Sequence, residues 1–447
     1  MDFAPIAIVG QGCALPLALS PQELWRLVLD GKDALTPPPA GYWHHATLAG
    51  LTYPEAPPLQ SLFSNRGGFV HGFDDRFDAG GYRLNAESIL ALDPLFRWLL
   101  YAGREALRDA GHDTRTSSPR AGVIVGNLSY PTRALVELAE RVWWKRDPRE
   151  APPVDARNRF SSGLPAHILA KALGLGAGAF ALDAACASSL YAIKLACDWL
   201  HDGRADLMLA GGVNGADGFI IHGGFSVLRA ISPTGRSRPF HRQADGLVPA
   251  EGAALVALKR LEDAEIAGDR ILGIVRSVGL SNDGRGHGFL VPSATAQSRA
   301  MHQAYAMAGL RPADVSLVEC HATGTQVGDA TEIRSMAQVF GGVGELAIGS
   351  LKSNLGHLIT AAGAAGLLKL LAAMDAGLRP PTLHADAPIE VLAGSPFRLL
   401  DRAEPWTDHA PRRAGLSAFG FGGNNAHLVL EQWTGPSRRR AAAPAPP

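Results

Sequence analysis

The stretch ALDAACASSLYAIKLACDWLHDG, residues 181–203, passes from a short apolar segment through small residues into a helical pattern. The buried face of this helix is predicted from apolar residues at helical spacing, namely Leu190, Ile193, Cys197 and Leu200. Cys186 stands at the turn, where free backbone N–H groups and the positive end of the helix dipole favour a thiolate. Because a thiolate attacks acyl groups, the pattern predicts a strand–turn–helix unit with Cys186 as a nucleophile of lowered pKa. The alternative interpretation of Cys186 is a buried structural thiol. We interpret Cys197, which lies on the apolar face of the helix, as such a structural thiol.

The alternation of apolar runs and helical stretches continues along the whole chain. Buried strands are predicted at residues 6–10, 122–126, 179–185, 207–212, 253–259, 271–279, 315–320, 345–350, 413–419 and 426–432. Helices are predicted near residues 94–110, 187–202, 294–309, 329–339 and 360–376. The strand runs are continuously apolar, which is typical of strands covered on both faces. Strands and helices that alternate in this way predict a layered α/β protein.

The composition is that of a chain with a large core and no bias in charge. Hydrophobic residues make up 47% of the 447 residues and charged residues 19%, which excludes overall disorder. The 42 Lys and Arg residues balance 42 Asp and Glu residues, so no basic field for nucleic acid is expected. We expect no signal peptide and no membrane segment. The four cysteines are widely spaced, which favours reduced thiols and a cytoplasmic location over disulfides or a zinc site.

A histidine follows the predicted strand in VSLVECHATGTQVGDATEI, residues 315–333. The strand delivers His321 to a loop of small residues, where a side chain can be aimed at a ligand. A buried histidine satisfied by its neighbours is the alternative. Cys320 alternates with His321 along the strand, so we expect it to point into the core.

A lysine and a second histidine lie five positions apart in AIGSLKSNLGHLITAAGAAG, residues 347–366. Lysine is rarely buried unless it is paired, so Lys352 needs a carboxylate if it lies inside. Glu332 is the partner that we predict for it. A surface lysine in a loop is the alternative. His357 precedes a helix of very small residues, which predicts close helix packing.

A glycine-rich turn joins the last two predicted strands in LSAFGFGGNNAHLVLEQ, residues 416–432. Such a turn can approach another loop closely, and its N–H groups can form half of an oxyanion hole. A dinucleotide-binding loop is set aside because no G-x-G-x-x-G leads into a helix and a strand follows instead.

Taken together in this order, the motifs resemble those of the β-ketoacyl synthase family, the condensing enzymes of fatty-acid and polyketide synthesis. The resemblance covers about residues 4–433. It rests on DAACASS (183–189), ECHATGT (319–325), KSNLGH (352–357), GFGGNNAH (420–427) and the stretch 233–264.

The resemblance implies a thiolase-like fold, with two βαβ-rich halves in a five-layer αβαβα core, and a homodimer. We place the N-terminal half at residues 4–262, the C-terminal half at 263–433 and a linker-like tail at 434–447. The implied partner is an acyl carrier protein whose phosphopantetheine arm carries the substrates, with no permanently bound cofactor and no metal.

The resemblance also implies the roles of individual residues. Cys186 accepts an acyl group, and a malonyl-type extender then loses carbon dioxide and attacks it. His321 and His357 stabilise the enolate, and Lys352 with Glu332 orients them. Further roles are the backbone N–H groups of Cys186 and Phe421 as oxyanion hole, and substrate contacts from Thr323, Thr325, Phe225, Asn354 and Phe419.

Small departures from the family pattern lie beside the reactive groups, at Ala184, Ala187, Ala322 and Asn424. They put substrate preference in doubt and leave the reaction intact. A thiolase, the nearest rival, carries a second cysteine in the C-terminal glycine turn, and none follows Cys320 here. A non-catalytic relative is the other alternative, and the presence of Cys186 argues against it.

Two segments interrupt the alternation of predicted strands and helices, and they indicate the kind of synthase to which the chain belongs. Residues 34–66 read as a long surface excursion, and the Ala/Pro-rich tail at 434–447 reads as a linker to neighbouring domains. Both favour the ketosynthase domain of a type I polyketide synthase. A fatty-acid or polyunsaturated-lipid synthase is the second possibility.

Overall fold

A computed structural model describes residues 3–43, 64–128, 132–143, 155–159, 162–285, 291–407 and 410–436. The strands are β1 (Ile6–Ala14), β2 (Leu35–Thr36), β3 (Gly67–Gly68), β4 (Ala121–Asn127), β5 (Gly178–Leu182), β6 (Leu207–Asn214), β7 (Gly252–Arg260), β8 (Gly273–Asn282), β9 (Leu317–Glu319), β10 (Leu346–Gly349), β11 (Leu378–Arg379), β12 (Phe397–Leu399), β13 (Glu404–Pro405), β14 (Arg413–Gly420) and β15 (Asn424–Glu431). The α-helices are α1 (Pro21–Leu29), α2 (Ala86–Leu90), α3 (Pro94–Asp109), α4 (Arg133–Trp143), α5 (Leu164–Leu173), α6 (Ser188–His201), α7 (Gly223–Val227), α8 (Leu261–Ala267), α9 (Ala294–Ala308), α10 (Gln326–Phe340), α11 (Lys352–Leu355) and α12 (Ala362–Ala376).

The long strands form one continuous sheet in the order β12-β10-β9-β14-β15-β8-β1-β7-β6-β4-β5. Strands from the second part of the chain lie on one side and strands from the first part on the other. The two sides meet where β8 pairs antiparallel with β1. Each side has parallel strands toward its outer edge and antiparallel strands toward the junction.

Helices lie in three layers around the two sides of this sheet. Helices α6 and α12 contact each other and strands of both sides, so they form the central layer. Helices α3 and α5 cover the outer face of the first side, and α9 and α10 cover the second. Strands covered on both faces need apolar residues throughout, which explains their continuous apolar runs. The expected five-layer αβαβα arrangement is confirmed.

The small residues of α12 allow it to lie close to α6 in the central layer. A Cβ atom on Gly363 would stand 2.8 Å from Leu190 Cγ and from Ser189 Oγ, so a larger residue does not fit there. The segment Ile359–Ala376 is long and apolar enough to cross a membrane, but 83% of it is buried inside the protein.

Each predicted strand and helix is present with bounds that differ by up to four residues, but helices such as α1 and α5 were not predicted. The strand before Cys186 ends at Leu182, three residues earlier than predicted, because the chain then turns into a short 3₁₀ helix at Ala185–Ala187. The predicted surface excursion at 34–66 was wrong for Ala34, Leu35 and Trp43, which are buried, whereas residues 36–42 and 64–66 are half-buried or exposed. There β2 pairs with β3 and Trp43 is buried, because these apolar side chains pack onto the core. Residues 44–63 of that segment and 437–447 of the tail lie outside the described residues. The boundary between the predicted halves stays a prediction.

Candidate active site

Cys186 lies on a sharp turn between β5 and α6. Ala185 has φ +51°, a left-handed conformation that costs a non-glycine residue about 1 kcal/mol. Ser188 holds the turn, since its hydroxyl accepts from Ala184 N at 2.8 Å and donates to the Ala185 carbonyl at 2.6 Å. The strained turn thereby presents the thiol at the start of α6.

The glycine-rich turn between β14 and β15 approaches this cysteine closely. A Cβ atom on Gly420 would stand 2.6 Å from the Ala184 carbonyl oxygen and 3.1 Å from Cys186 N, so only glycine fits. The backbone N–H groups of Phe421 and Cys186 both lie near enough to Cys186 Sγ to lower the pKa of the thiol. The two predicted oxyanion-hole donors therefore converge on the same atom.

His357 is anchored on both sides of its ring. Its backbone pairs with Val248 and Ala250, through bonds of 2.7 and 2.9 Å. Nδ1 accepts the Ile359 N–H at 3.2 Å, and Nε2 lies 3.0 Å from Cys186 Sγ. Burial and the charge of Lys352 hold the pKa of His357 well below its usual value, so the ring is neutral. Because a backbone amide can only donate, the ring proton is on Nε2 and faces the sulfur.

His321 reaches the same place from the end of β9, but its ring is held differently. Its backbone N–H donates to Glu332 Oε1 at 2.8 Å. The ring stands edge-on to His357 and Phe419, with centroid distances of 5.5 and 5.7 Å. Nδ1 is buried and has no hydrogen-bond partner among the described residues. Burial, followed by the charge of Lys352, lowers the pKa of His321 well below 6.5.

Lys352 is buried behind the two histidines, as the resemblance implies, but the predicted direct pair with Glu332 was wrong. Within the described ranges Lys352 forms no ion pair, and its Nζ lies 3.5 Å from the Cys320 carbonyl oxygen. The Glu332 carboxylate accepts instead from the backbone N–H groups of His321 and Ala322, at 2.8 and 2.7 Å. These amides need an acceptor where the strand ends, and the carboxylate supplies it. Burial raises the pKa of Glu332 to about 8, and in its charged form Glu332 raises the pKa of Lys352, which burial lowers.

The prediction that Cys186 has a lowered pKa was also wrong. The side chain is 4% exposed and lies in an apolar cluster with Ile221, Phe225, Ile231, Leu247 and Ile359. This burial raises the pKa of Cys186 to about 12, although Lys352 and the amides of Phe421 and Cys186 oppose it. Burial raises the pKa of Cys186 by more than the helix N-terminus lowers it, so the residue is a neutral thiol at neutral pH.

A cavity of about 390 Å³ leads to the thiol. Of the predicted substrate-binding residues, Thr323, Thr325 and Phe419 line it, together with Phe421, and the two threonine hydroxyls lie 3.1 Å apart. Phe225 lies beside Cys186 in the apolar cluster, with its ring centroid 6.0 Å from that of Phe421.

Asn354 was wrongly predicted to contact substrate. It is 1% exposed and does not line the cavity. Its side-chain amide donates to the Lys32 carbonyl at 3.0 Å, and therefore it fastens α11 to the segment after α1.

Sequence reasoning missed Asp329, which shapes the loop that follows His321. Its buried carboxylate accepts from the backbone N–H groups of Phe240 and Thr323, at 2.7 and 3.0 Å. Burial raises the pKa of Asp329 to about 6 despite these bonds. The acidic residue four positions after Thr325, at the start of a predicted helix, was the available signal.

One atom from each of Cys186, His321 and His357 lies within 4.8 Å of the other two. Thiolate and imidazole are ligands that a zinc ion accepts, so the set is chemically able to hold a metal. The same neutral imidazoles and thiol, beside an oxyanion hole in a cavity, also suit acyl transfer through a covalent thioester.

Comparison with known proteins identifies the family. Residues 4–264 match the N-terminal domain of β-ketoacyl synthase, and residues 272–386 match its C-terminal domain. Among solved structures, the PfaC keto synthase–chain length factor is 37% identical with a TM-score of 0.89, over 96% of this chain and 48% of that one. The oxazolomycin ketosynthase domain OzmH KS7 of Streptomyces albus is 34% identical with a TM-score of 0.83, over 96% of this chain and 75% of that one.

Curated relatives are much longer than this chain. The spectinabilin polyketide synthase system protein NorA' of Streptomyces orinoci is 39% identical, over 96% of this chain and 12% of its own length. A mycocerosic acid synthase-like polyketide synthase of Mycolicibacterium smegmatis is 37% identical, over 96% of this chain and 20% of its own length. The resemblance found in the sequence is confirmed: the chain belongs to the β-ketoacyl synthase family of condensing, acyl-transferring enzymes and is most like the ketosynthase domains of polyketide synthases.

Proposed function

We propose that this chain extends an acyl group held on Cys186 by decarboxylative condensation with a malonyl-type thioester, in the assembly of a polyketide. The observation that carries the proposal is the convergence of the Cys186 thiol, two neutral imidazoles and two backbone N–H groups at one end of a cavity. Each of these groups has a role in one of two half-reactions.

In the first half-reaction, Cys186 Sγ adds to the carbonyl carbon of an acyl thioester. The N–H groups of Cys186 and Phe421 bind the oxyanion that develops, and the His357 Nε2–H donates to the sulfur and favours its anionic form. Collapse forms the acyl-cysteine and breaks the bond to the phosphopantetheine sulfur, which leaves with the thiol proton. Because its pKa is raised to about 12, the Cys186 thiol keeps its proton at neutral pH until the leaving sulfur takes it.

In the second half-reaction, the extender loses carbon dioxide and its thioester becomes an enolate. His321 and His357 donate N–H groups to the enolate oxygen, and the Lys352 charge stabilises the anion. The enolate carbon attacks the acyl-cysteine carbonyl, a carbon–carbon bond forms, and the Cys186 sulfur leaves as a thiolate. A proton from solvent returns it to the neutral thiol.

The substrates are thioesters on the phosphopantetheine arm of an acyl carrier protein. The cavity and its paired hydroxyls at Thr323 and Thr325 suit the amide groups of such an arm. Each step proceeds with thiol, imidazole, ammonium and amide groups, so the proposal includes no resident cofactor.

The partners are a second copy of this chain and, through residues 434–447, neighbouring synthase domains. Strand β5 is the edge of the described sheet, and its apolar side chains, including Phe180 and Leu182, are only half-buried. Such an edge needs a cover, and antiparallel pairing with β5 of a second copy supplies one. Ala181→Arg places a charge on this edge and shifts the dimer to monomer in light-scattering measurements; an unchanged mass would contradict this interface.

The much longer relatives support the neighbouring domains, and four free thiols support a cytoplasmic location.

Intact-mass spectrometry with a panel of acyl thioesters tests the proposal. One acyl group adds to the wild-type chain and to Cys197→Ala, whose thiol is in the core, and none adds to Cys186→Ala. Addition of malonyl carrier protein then discharges the acyl group as a β-ketoacyl thioester. A folded wild-type chain that accepts no acyl group, or whose acyl-cysteine is not extended, would overturn the proposal.

A further inference from the structure

A buried ion pair lies behind the active site and outside the cavity. Lys369 Nζ stands 2.7 Å from Glu319 Oε2, and the side chains are 2% and 3% exposed. Lys369 is on α12, and Glu319 is the last residue of β9, two positions before His321. Apolar residues of similar volume are often as stable as a buried ion pair, so stability alone is a weak reason for one here.

The second oxygen of Glu319 connects this pair to the turn that carries Lys352. Oε1 accepts the Leu351 N–H at 2.6 Å. Leu351 directly precedes Lys352, and β9 pairs in parallel with β10 just before this turn. The carboxylate therefore joins α12, the strand that ends at His321 and the turn that begins with Lys352.

Glu319 also governs the electrostatic environment of Lys352. Burial lowers the pKa of Lys352. The negative charge of Glu319 raises this pKa more than that of Glu332 does. The charge of Lys352 in turn lowers the pKa of Cys186 and of His321. A loss of negative charge at Glu319 is thus transmitted to the thiol through Lys352.

We propose that Glu319 is a positioning residue, which holds the Lys352 ammonium beside His321 and the thiol. The proposal rests on the proposed function for its kinetic consequences. Neither Glu319 nor Lys369 touches substrate, because neither lines the cavity. Lys369 balances the Glu319 charge, and Glu319 performs the positioning.

Three variants separate positioning from simple stabilisation. Glu319→Gln keeps an acceptor for Leu351 N–H but loses the charge, and we expect condensation and malonyl decarboxylation to fall at least about tenfold. Lys369→Met retains the carboxylate and loses less activity. The double variant Glu319→Gln/Lys369→Met has no unpaired buried charge, so it regains thermal stability without regaining activity. It also decides the outcome if a single variant fails to fold.

Alkylation of Cys186 by iodoacetamide provides a readout that needs no turnover. We expect slower alkylation at pH 8 in Glu319→Gln and in the double variant, by about three- to tenfold, because Lys352 supports the thiolate less. Lys259→Met is the control, since its ion pair with Asp269 is outside the cavity. Wild-type activity and alkylation in the stable double variant would overturn the positioning role. A wild-type chain without condensing activity whose alkylation still responds to Glu319→Gln would overturn the proposed function alone.

Discussion

The His357 turn (residues 356–359) and the His321 loop (residues 320–325) bring the same side chain to the same cavity in different ways. His357 is 1% exposed, its backbone pairs on both sides with a neighbouring segment, and both ring nitrogens have partners. The His321 ring is only partly buried, and its Nδ1 has no partner in the described part of the chain.

From this difference we expect both imidazoles to donate to the enolate of the proposed reaction, and only His357 to act on the Cys186 sulfur as well. The His357 ring has a fixed tautomer and already contacts the thiol, so it acts whenever Cys186 reacts. Among the described residues, the His321 ring forms no hydrogen bond to the Cys186 thiol of the kind that His357 forms. The His321 loop carries Thr323 and Thr325, which line the cavity. We therefore expect His321 to bind the extender of the proposed reaction, which would reach it through the cavity.

Replacing each histidine tests this division and gives the largest expected effect. His357→Ala and His321→Ala each lower condensation by about 10²–10⁴-fold, since each removes an enolate donor. His321→Ala retains acylation of Cys186 within about threefold, whereas His357→Ala slows it by about tenfold or more, because His357, unlike His321, donates to Sγ.

Single-turnover acylation followed by intact mass measures the first step apart from the second. His357→Gln is the matched variant, since its amide N–H still donates and restores part of the acylation rate. Equal acylation rates in the two alanine variants would remove the distinction between the histidines.

The pH dependence of Cys186 alkylation tests the state of the thiol that contacts His357. We expect the alkylation rate to change by about two orders of magnitude between pH 7 and 9. With the pKa of Cys186 raised to about 12, the thiolate fraction rises about tenfold per pH unit, and alkylation accelerates steadily from pH 7 to 9. A thiolate stabilised at a helix start reaches a plateau in this range instead. Iodoacetamide kinetics at constant ionic strength distinguish the two, and a plateau below pH 8 would show that the helix start outweighs burial.

The sequence was sufficient for features that depend on neighbouring residues. The strand–turn–helix around Cys186, the histidine after β9 and the closeness of the glycine turn all follow from local patterns. The family resemblance then assembled them into one site.

Features that depend on distant residues could not be predicted. Burial of the Cys186 thiol comes from Ile221, Phe225 and other residues of separate segments, which no local window reveals. Asn354 binds a carbonyl 322 positions away along the chain. The Glu332 carboxylate could pair with Lys352 or accept from backbone amides. The path of the His321 loop brings the amides to it, and this path is not visible in the local sequence.

Removing one hydroxyl from the His321 loop gives a smaller effect and tests whether this loop receives the carrier arm. Thr323→Val keeps the shape but loses the hydroxyl that faces Thr325, and we expect KM for malonyl carrier protein to rise about five- to tenfold. Acylation of Cys186 by a small soluble thioester stays unchanged, since it needs no arm. Thermal unfolding serves as the control. A change in kcat with unchanged KM would assign Thr323 to the chemical step instead.

The smallest effect on activity is expected at Asn354, on the element that precedes the His357 turn. Asn354→Ala removes the bond to the Lys32 carbonyl and leaves that acceptor unsatisfied, which lowers the free energy of unfolding by about 1–3 kcal/mol. Because the side chain does not line the cavity, kcat and KM change less than about twofold. Denaturant unfolding and steady-state kinetics measure the two quantities on one preparation. A rise in KM without loss of stability would restore Asn354 as a substrate contact.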